Sequence, residues 1–279
     1  MNLSNFIKST VALTVGASLI GCAPNASTTV PQVTSSFKMT GSGAPATVAR
    51  TGKPLWLSAL INSAYAMVPT SIVDSAGATI TLSSAWTVIK EIEFESEEVG
   101  NIASENSEVE FAGPYFVDLL SNTPVRLDTQ LISQKSFKRI KMKLHATSVA
   151  LPVGAPAGLA NNSIYLAGSI SGKSFTIQLD DGTVVQIAGP NGFVPTENSD
   201  LLVEIKLANI FKQINMTSIV NNEVVDKNNR HAGANLCTSI DPSANDLYTC
   251  IRKGIEKHAD FGSDRNGDSV IEANEDHVK

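Results

Sequence analysis

Charge of either sign is scarce in this chain. Charged residues make up 17% of its 279 positions, and the formal net charge is −6; ordinary globular proteins carry roughly 25%. No stretch combines clustered Lys and Arg with interleaved aromatics, so a nucleic acid is not expected as a partner. Aromatics are also sparse, at 6% with 2 Trp. The histidines, at 145, 231, 258 and 277, have no zinc-ligand spacing, and most are expected to be solvated. No apolar run reaches the roughly 20 residues needed to span a bilayer as a helix. Cysteine is limited to Cys22, Cys237 and Cys250. What remains is 42% hydrophobic, enough for a sizeable core, so disorder is not the default.

The first 22 residues bear on the compartment. Met1–Lys8 carries one lysine, Ser9–Ile20 is apolar, and Leu19-Ile20-Gly21-Cys22 follows. A basic start, a short apolar core and small residues at the cut define a secretory signal peptide. With the cut before a cysteine, the pattern resembles the lipobox of bacterial lipoproteins. There the Cys22 thiol receives a diacylglycerol and becomes the new N-terminus. Ala23 in place of Asp resembles an outer-membrane address in Gram-negative lipoproteins. The alternative, a transmembrane helix, conflicts with the short run and with Pro24 and Asn25. The implied partner is the membrane, through lipid on Cys22.

With Cys22 lipidated, Cys237 and Cys250 have one intramolecular pairing. In an oxidising compartment they read as a disulfide, whose loop closure contributes about 2–3 kcal/mol; the alternative is two reduced core cysteines.

Residues 22–70 are expected to be a tether and membrane-proximal segment. Residues 23–54 are rich in Ser, Thr, Gly, Ala and Pro, a composition that reads as flexible. The apolar Leu55–Val68, ending in Ala64-Tyr65-Ala66, imitates a second signal peptide; a short docked helix or loop is the preferred reading, with cleavage the alternative. From about residue 79 the period is two. Leu82, Trp86, Val88, Ile92 and Phe94 are placed on one face, and Glu91, Glu93 and Glu95 on the other. Ile140, Met142 and Leu144 alternate likewise with Arg139, Lys141 and Lys143. If these strands are neighbours, the acidic and basic rows face each other. Further strands are expected at Val109–Ala112, Tyr115–Leu120, Ser163–Ile170, Ser174–Leu179, Val184–Ala188 and Leu201–Leu207, with turns at Gly113-Pro114 and at 189–192. A short helix is expected at Ala208–Ile214. The fold expected is mainly β, an antiparallel β-sandwich over residues 71–220. A small module, residues 221–279, follows.

Ala85-Trp86, Lys90-Glu91-Ile92-Glu93-Phe94, Gly113-Pro114-Tyr115-Phe116-Val117-Asp118-Leu119-Leu120 and Phe137–Leu144 together resemble an uncharacterised family of bacterial secreted lipoproteins. The resemblance covers roughly residues 75–215 and implies an immunoglobulin- or transthyretin-like sandwich. It carries over no functional residue. Lys135-Ser136-Phe137 departs from the Gly and Tyr that often precede the basic strand in that family.

The chemistry is concentrated in Asp264–Glu275. Set on an EF-hand loop, Asp264, Asn266, Asp268, Glu272 and Glu275 supply side-chain oxygens at positions 1, 3, 5, 9 and 12. Val270 supplies its carbonyl at position 7. Alternate residues of a tight loop turn inward, which suits the six to seven oxygens that Ca²⁺ takes. Ile271, at position 8, suits packing of the loop against its helix. Ser269 stands where glycine normally provides the sharp turn, at a cost of roughly 1 kcal/mol. An incoming helix is expected with Asp241 as N-cap, Pro242 at N1, and Leu247, Ile251, Ile255 and Ala259 on one face. A single loop with Ser269 is expected to bind weakly, on the order of 10⁻⁴–10⁻³ M, with a structural role. The alternative is a solvated acidic tail.

Other signatures fail on context. Gly168-Ser169-Ile170-Ser171-Gly172 matches G-x-S-x-G, but a strand follows where a nucleophile elbow needs a helix, so a hairpin turn is expected. Asp260-Phe261-Gly262 lacks the other kinase elements. The Glu91–Glu110 carboxylates read as a solvated surface. No catalytic set is evident. The expected function is therefore a non-enzymatic, lipid-anchored envelope protein with a β-sandwich interaction domain for a protein or glycan partner. A calcium-dependent carbohydrate- or polymer-binding module is the alternative, with Tyr115, Tyr165 and Phe193 as the aromatic candidates.

Overall fold

The computed structural model describes residues 31–41, 70–96, 109–121, 123–180, 182–196, 200–264 and 271. By contact the chain divides at Val30/Pro31, and Pro31–Lys279 is one compact unit. Its first strands are β1 (Gln32–Gly41), β2 (Thr70–Val73), β3 (Thr79–Ser96), β4 (Val109–Asp118), β5 (Val125–Ser133) and β6 (Phe137–Leu144). Then come β7 (Ile164–Ile170), β8 (Lys173–Leu179), β9 (Thr183–Phe193), β10 (Asp200–Ile205) and helix α1 (Leu207–Phe211). The described elements end with β11 (Glu223–Val225), helix α2 (Leu247–His258) and β12 (Ala259–Asp264).

The strands form two sheets: four strands in the order β12-β10-β1-β5, and eight built around β3. One edge of β3 pairs with β2 and then β4; the other pairs with β7 and then β6. Beyond β7 lie β8 and then β11, and beyond β6 lies β9. The sheets meet face to face through phenylalanine. Phe37 of β1 stacks on Phe111 of β4 at 4.9 Å and meets the edge of Phe94 of β3 at 5.5 Å. Phe261 of β12 packs edge-on against Phe94 and Phe193, each at 5.3 Å. Such pairs contribute about 0.5–1.5 kcal/mol each beyond their area burial. The fold is a mainly β sandwich.

Four expectations need correction. First, Gln32–Gly41, assigned to the tether, is a strand with Val33, Phe37 and Met39 in the core. Second, β1–β10 and β8–β11 pair in parallel, so the sandwich is not wholly antiparallel. Third, the described residues after 221 do not form a separate module. Leu247, Tyr248, Cys250, Ile251, Ile255 and Phe261 join the same core as the sheets. Fourth, bulges between Leu82 and Ser84 and between Ile89 and Glu91 shift the phase of β3. Ala85 takes an inward place and Trp86 is half-buried.

The facing charge rows do form. Glu91, Glu93 and Glu95 pair in register with Lys143, Lys141 and Arg139. Arg139 reaches Glu95 at 3.0 Å, Lys143 reaches Glu93 at 2.7 Å, and Lys141–Glu95 and Lys143–Glu91 also pair. The hydrogen bond between the two neighbouring carboxyls holds Glu91 below its ordinary pKa, helped by Lys143, and raises Glu93 above its own although Lys143 pulls the other way. Burial would raise Glu95, but Lys141 and Arg139 hold it down. These half-buried surface pairs contribute modestly; their larger role is to fix register, since a slip of one residue would turn every charge inward.

Local turn chemistry explains the expected G-x-S-x-G hairpin. Ile170 pairs with Lys173, leaving Ser171 and Gly172 at φ 50° and 79° between β7 and β8, the mirror-image turn that suits twisted strands. Gly113-Pro114, expected as a turn, lies within β4 beside the bulge. A Cβ on Gly113 would come within 2.3 Å of the Ile89 carbonyl oxygen, so only glycine fits there. Residues 189–192, also expected as a turn, continue β9.

Candidate functional site

The C-terminal acidic segment is entered from a strand, not from a helix as an EF-hand loop is. Asp246, not Asp241, is the N-cap of α2; its carboxylate accepts from the Thr249 amide at 2.7 Å. Asp241 instead closes a turn, accepting from the Ser243 amide at 2.8 Å. The helix ends at His258, and Ala259 is already extended. Phe261 draws the following residues into the sheet as a core side chain, and Gly262 and Ser263 favour helix poorly. Asp264, the first expected calcium ligand, is therefore the last residue of β12. It is 8% exposed and lies opposite Asp200 of β10.

Alternation along these two strands creates a distinctive face. Leu201, Val203 and Phe261 enter the core, while Asp200, Glu204, Asp260 and Asp264 share the other face. Glu204 is only 1% exposed. Lys206 supplies the compensating charge, 2.8 Å from Asp260 and 3.6 Å from Glu204. Burial would lower Lys206, but Asp260, and behind it Glu204, hold it above its ordinary value. Lys38 of β1 pairs with Asp200. The Ile271 amide lies 3.4 Å from Glu204 Oε2, and Ile271 is 5% exposed. Position 8 of the acidic segment therefore comes back to the β10–β12 sheet.

Asn266, Asp268, Val270, Glu272 and Glu275 lie outside the described residues, as does Cys22. Among the described residues no three His, Cys, Asp or Glu side chains are grouped to hold a metal. Cys237 and Cys250 lie at bonding distance, with sulfurs 1.99 Å and Cα atoms 5.8 Å apart. Cys250 stands in the first half of α2, so the link ties that helix to the preceding loop.

No family model, curated protein or solved structure matches the chain.

Glu204 was not among the residues singled out from the sequence. Its signal was a lone carboxylate within the apolar run Leu201-Leu202-Val203-Glu204-Ile205. Of the aromatic candidates, Phe193 is a core residue, 1% exposed, while Tyr115 and Tyr165 are half-buried. Tyr165 belongs to a register row crossing four strands: Asp118 of β4, Trp86 of β3, Tyr165 of β7 and Gln178 of β8. Burial raises the Asp118 pKa, against the Leu120 amide that bonds its carboxylate.

Proposed function

We propose that this chain is a lipid-anchored cell-envelope protein, held through Cys22. Its β-sandwich presents an interaction surface, and its last residues bind one calcium ion in a structural role. The carrying observation is the junction of the acidic segment with the sandwich. Asp264 ends a strand of the four-stranded sheet, and the Ile271 amide faces the buried Glu204 carboxylate. A divalent cation held by Asp264, Asn266, Asp268, the Val270 carbonyl, Glu272 and Glu275 would supply positive charge next to this acidic face. It would also fix the segment against the sheet. That the loop is entered from a strand changes the approach to the ion but leaves the ligand spacing as it stands.

Calorimetry is expected to find one site with a dissociation constant of about 10⁻⁴–10⁻³ M. At 10 mM Ca²⁺ the folded state should gain roughly 1.4–2.7 kcal/mol. Glu275→Gln should remove both signals. Equal binding by this variant would reject the ligand set, and no binding by the parent protein would reject the site.

The row Asp118–Trp86–Tyr165–Gln178 supports a second reading for the interaction surface, a glycan. Aromatic faces cover the C–H side of a sugar ring, while a carboxylate and an amide hydrogen-bond its hydroxyls. In titrations with neutral oligosaccharides, Trp86→Ala should lose affinity at least several-fold without a change in calcium binding. Unchanged sugar affinity would remove this row from consideration.

A further inference from the structure

The segment between α1 and α2 brings together a serine, a histidine and a glutamate that have no recognisable motif in the sequence. Ser218 Oγ lies 2.9 Å from Nε2 of His231, and Nδ1 of the same ring lies 2.7 Å from Oε1 of Glu223. A carboxylate can only accept at neutral pH, so Nδ1 carries the proton and Nε2 is left to accept from the Ser218 hydroxyl. Burial is graded along the relay. The Glu223 side chain is 8% exposed, that of His231 is 12%, and Ser218 is exposed.

Each member is held independently. Glu223 lies in β11, and its second oxygen accepts from the Val220 amide at 2.9 Å. His231 is held at φ 51°, and its carbonyl accepts from Leu247 at the start of α2 at 3.1 Å. A non-glycine residue in that region is sparsely populated and persists only where its surroundings determine it. Ser218 sits in a turn closed by Ile219 N–H to the Met216 carbonyl at 3.1 Å. Lys173 donates to the carbonyls of Ile219 and Thr217 at 2.9 and 3.4 Å, placing an ammonium beside that turn. Among the described residues the Ser218 amide has no acceptor, so it can donate to an oxyanion formed at its own side chain.

We infer that Ser218, His231 and Glu223 form a nucleophilic triad that hydrolyses short acyl esters. This goes beyond the anchored, calcium-bound reading and departs from the expectation of a chain without a catalytic set. In the first half-reaction Ser218 Oγ adds to the ester carbonyl carbon and its proton passes to His231 Nε2. Glu223 stabilises the imidazolium through Nδ1. The C–O bond to the alcohol breaks as His231 returns the proton to the leaving oxygen, giving acyl-Ser218 and free alcohol. Water then adds to the acyl carbon with its proton taken by His231, and collapse releases the acid and restores Ser218. The exposed nucleophile suits a small acyl group, such as acetyl, presented from a larger surface.

The test treats the full chain, in detergent, with a fluorophosphonate probe, and separately with p-nitrophenyl acetate. Covalent labelling is expected at Ser218 by peptide mass spectrometry, lost in Ser218→Ala and retained in Ser169→Ala. His231→Gln should lower ester turnover by about 10²–10⁴-fold, the usual contribution of a positioned general base. Glu223→Gln should lower it with little change in KM. Ser218 is exposed, so Ser218→Ala should melt as the parent does. An unlabelled parent protein, or equal turnover by parent and Ser218→Ala, would overturn the proposal.

Discussion

Replacing Phe261 by alanine is expected to cost about 3–5 kcal/mol of unfolding free energy, in the range of buried Phe→Ala changes. For a unit of this size the melting temperature should fall by on the order of 10 °C. Phe261 is fully buried and touches Phe37, Phe94 and Phe193, which come from both sheets. Truncation leaves a cavity where these rings met, and rigid strands on either side limit collapse into it. The outcome distinguishes two architectures. If residues 221–279 folded as an appendage, Phe261→Ala would melt that part alone and leave the sandwich transition in place. With Phe261 in the shared core, urea unfolding should remain one transition at a lower midpoint. A second, unshifted transition would contradict the shared core.

The second large effect is expected from Lys206→Met. Methionine preserves most of the apolar stem but leaves Glu204 and Asp260 without their ammonium. Their side chains are 1% and 12% exposed, and that of Lys206 is 25% exposed. Removing one partner of a fully buried pair costs about 3–5 kcal/mol, and the partial exposure here reduces the expectation to about 2–3 kcal/mol. The pH dependence follows from the raised pKa of Lys206. The folded state holds this proton more tightly than the unfolded state. The stabilisation is therefore complete below the unfolded value of about 10.4 and fades as pH rises through the higher folded value. The stability gap between parent and variant should be constant near neutrality and shrink in strong alkali. A gap that widened with alkali would assign the wrong sign to the interaction.

The parts of this fold legible in the sequence were those where one strand carries its own evidence. In β3 and β6, apolar and charged residues alternate over long stretches, and the opposite signs of the two rows specify which strands meet. β1 gives no such signal. Its inward positions include Ser35 as well as Val33, Phe37 and Met39, within a Ser- and Thr-rich composition that also suits an unstructured tether. β5 is obscured in the opposite way, because Leu131 is 63% exposed and blurs its alternation. β12 follows a helix closely, and the apolar spacing of α2 runs on smoothly into Ala259. Only the bulk of Phe261 and the weak helix formers after it mark the change.

Spacing along the chain identified Asp264 as a candidate ligand, and setting Cys22 aside left Cys237 and Cys250 as the one pair. It could not identify Glu204, whose place beside Ile271 depends on how β10 and β12 align. Nor could it assemble Ser218, Glu223 and His231, because their convergence depends on an unusual backbone angle at the histidine and on a short parallel pairing of β11 with β8. Close sequence separation alone does not bring three side chains to hydrogen-bonding distance.

The order of strands in the small sheet bears on how the protein is made. β1 is made before both of its neighbours, β5 and β10, and β10 is in turn flanked by β12. The parallel partner of Ser36 is Asp200, far down the chain. β1 therefore stays unpaired along one side until β10 has been made. Such long-range closure slows folding and leaves an adhesive edge open in the meantime. A nascent chain with this topology is expected to gain from a holding chaperone until β10 joins β1.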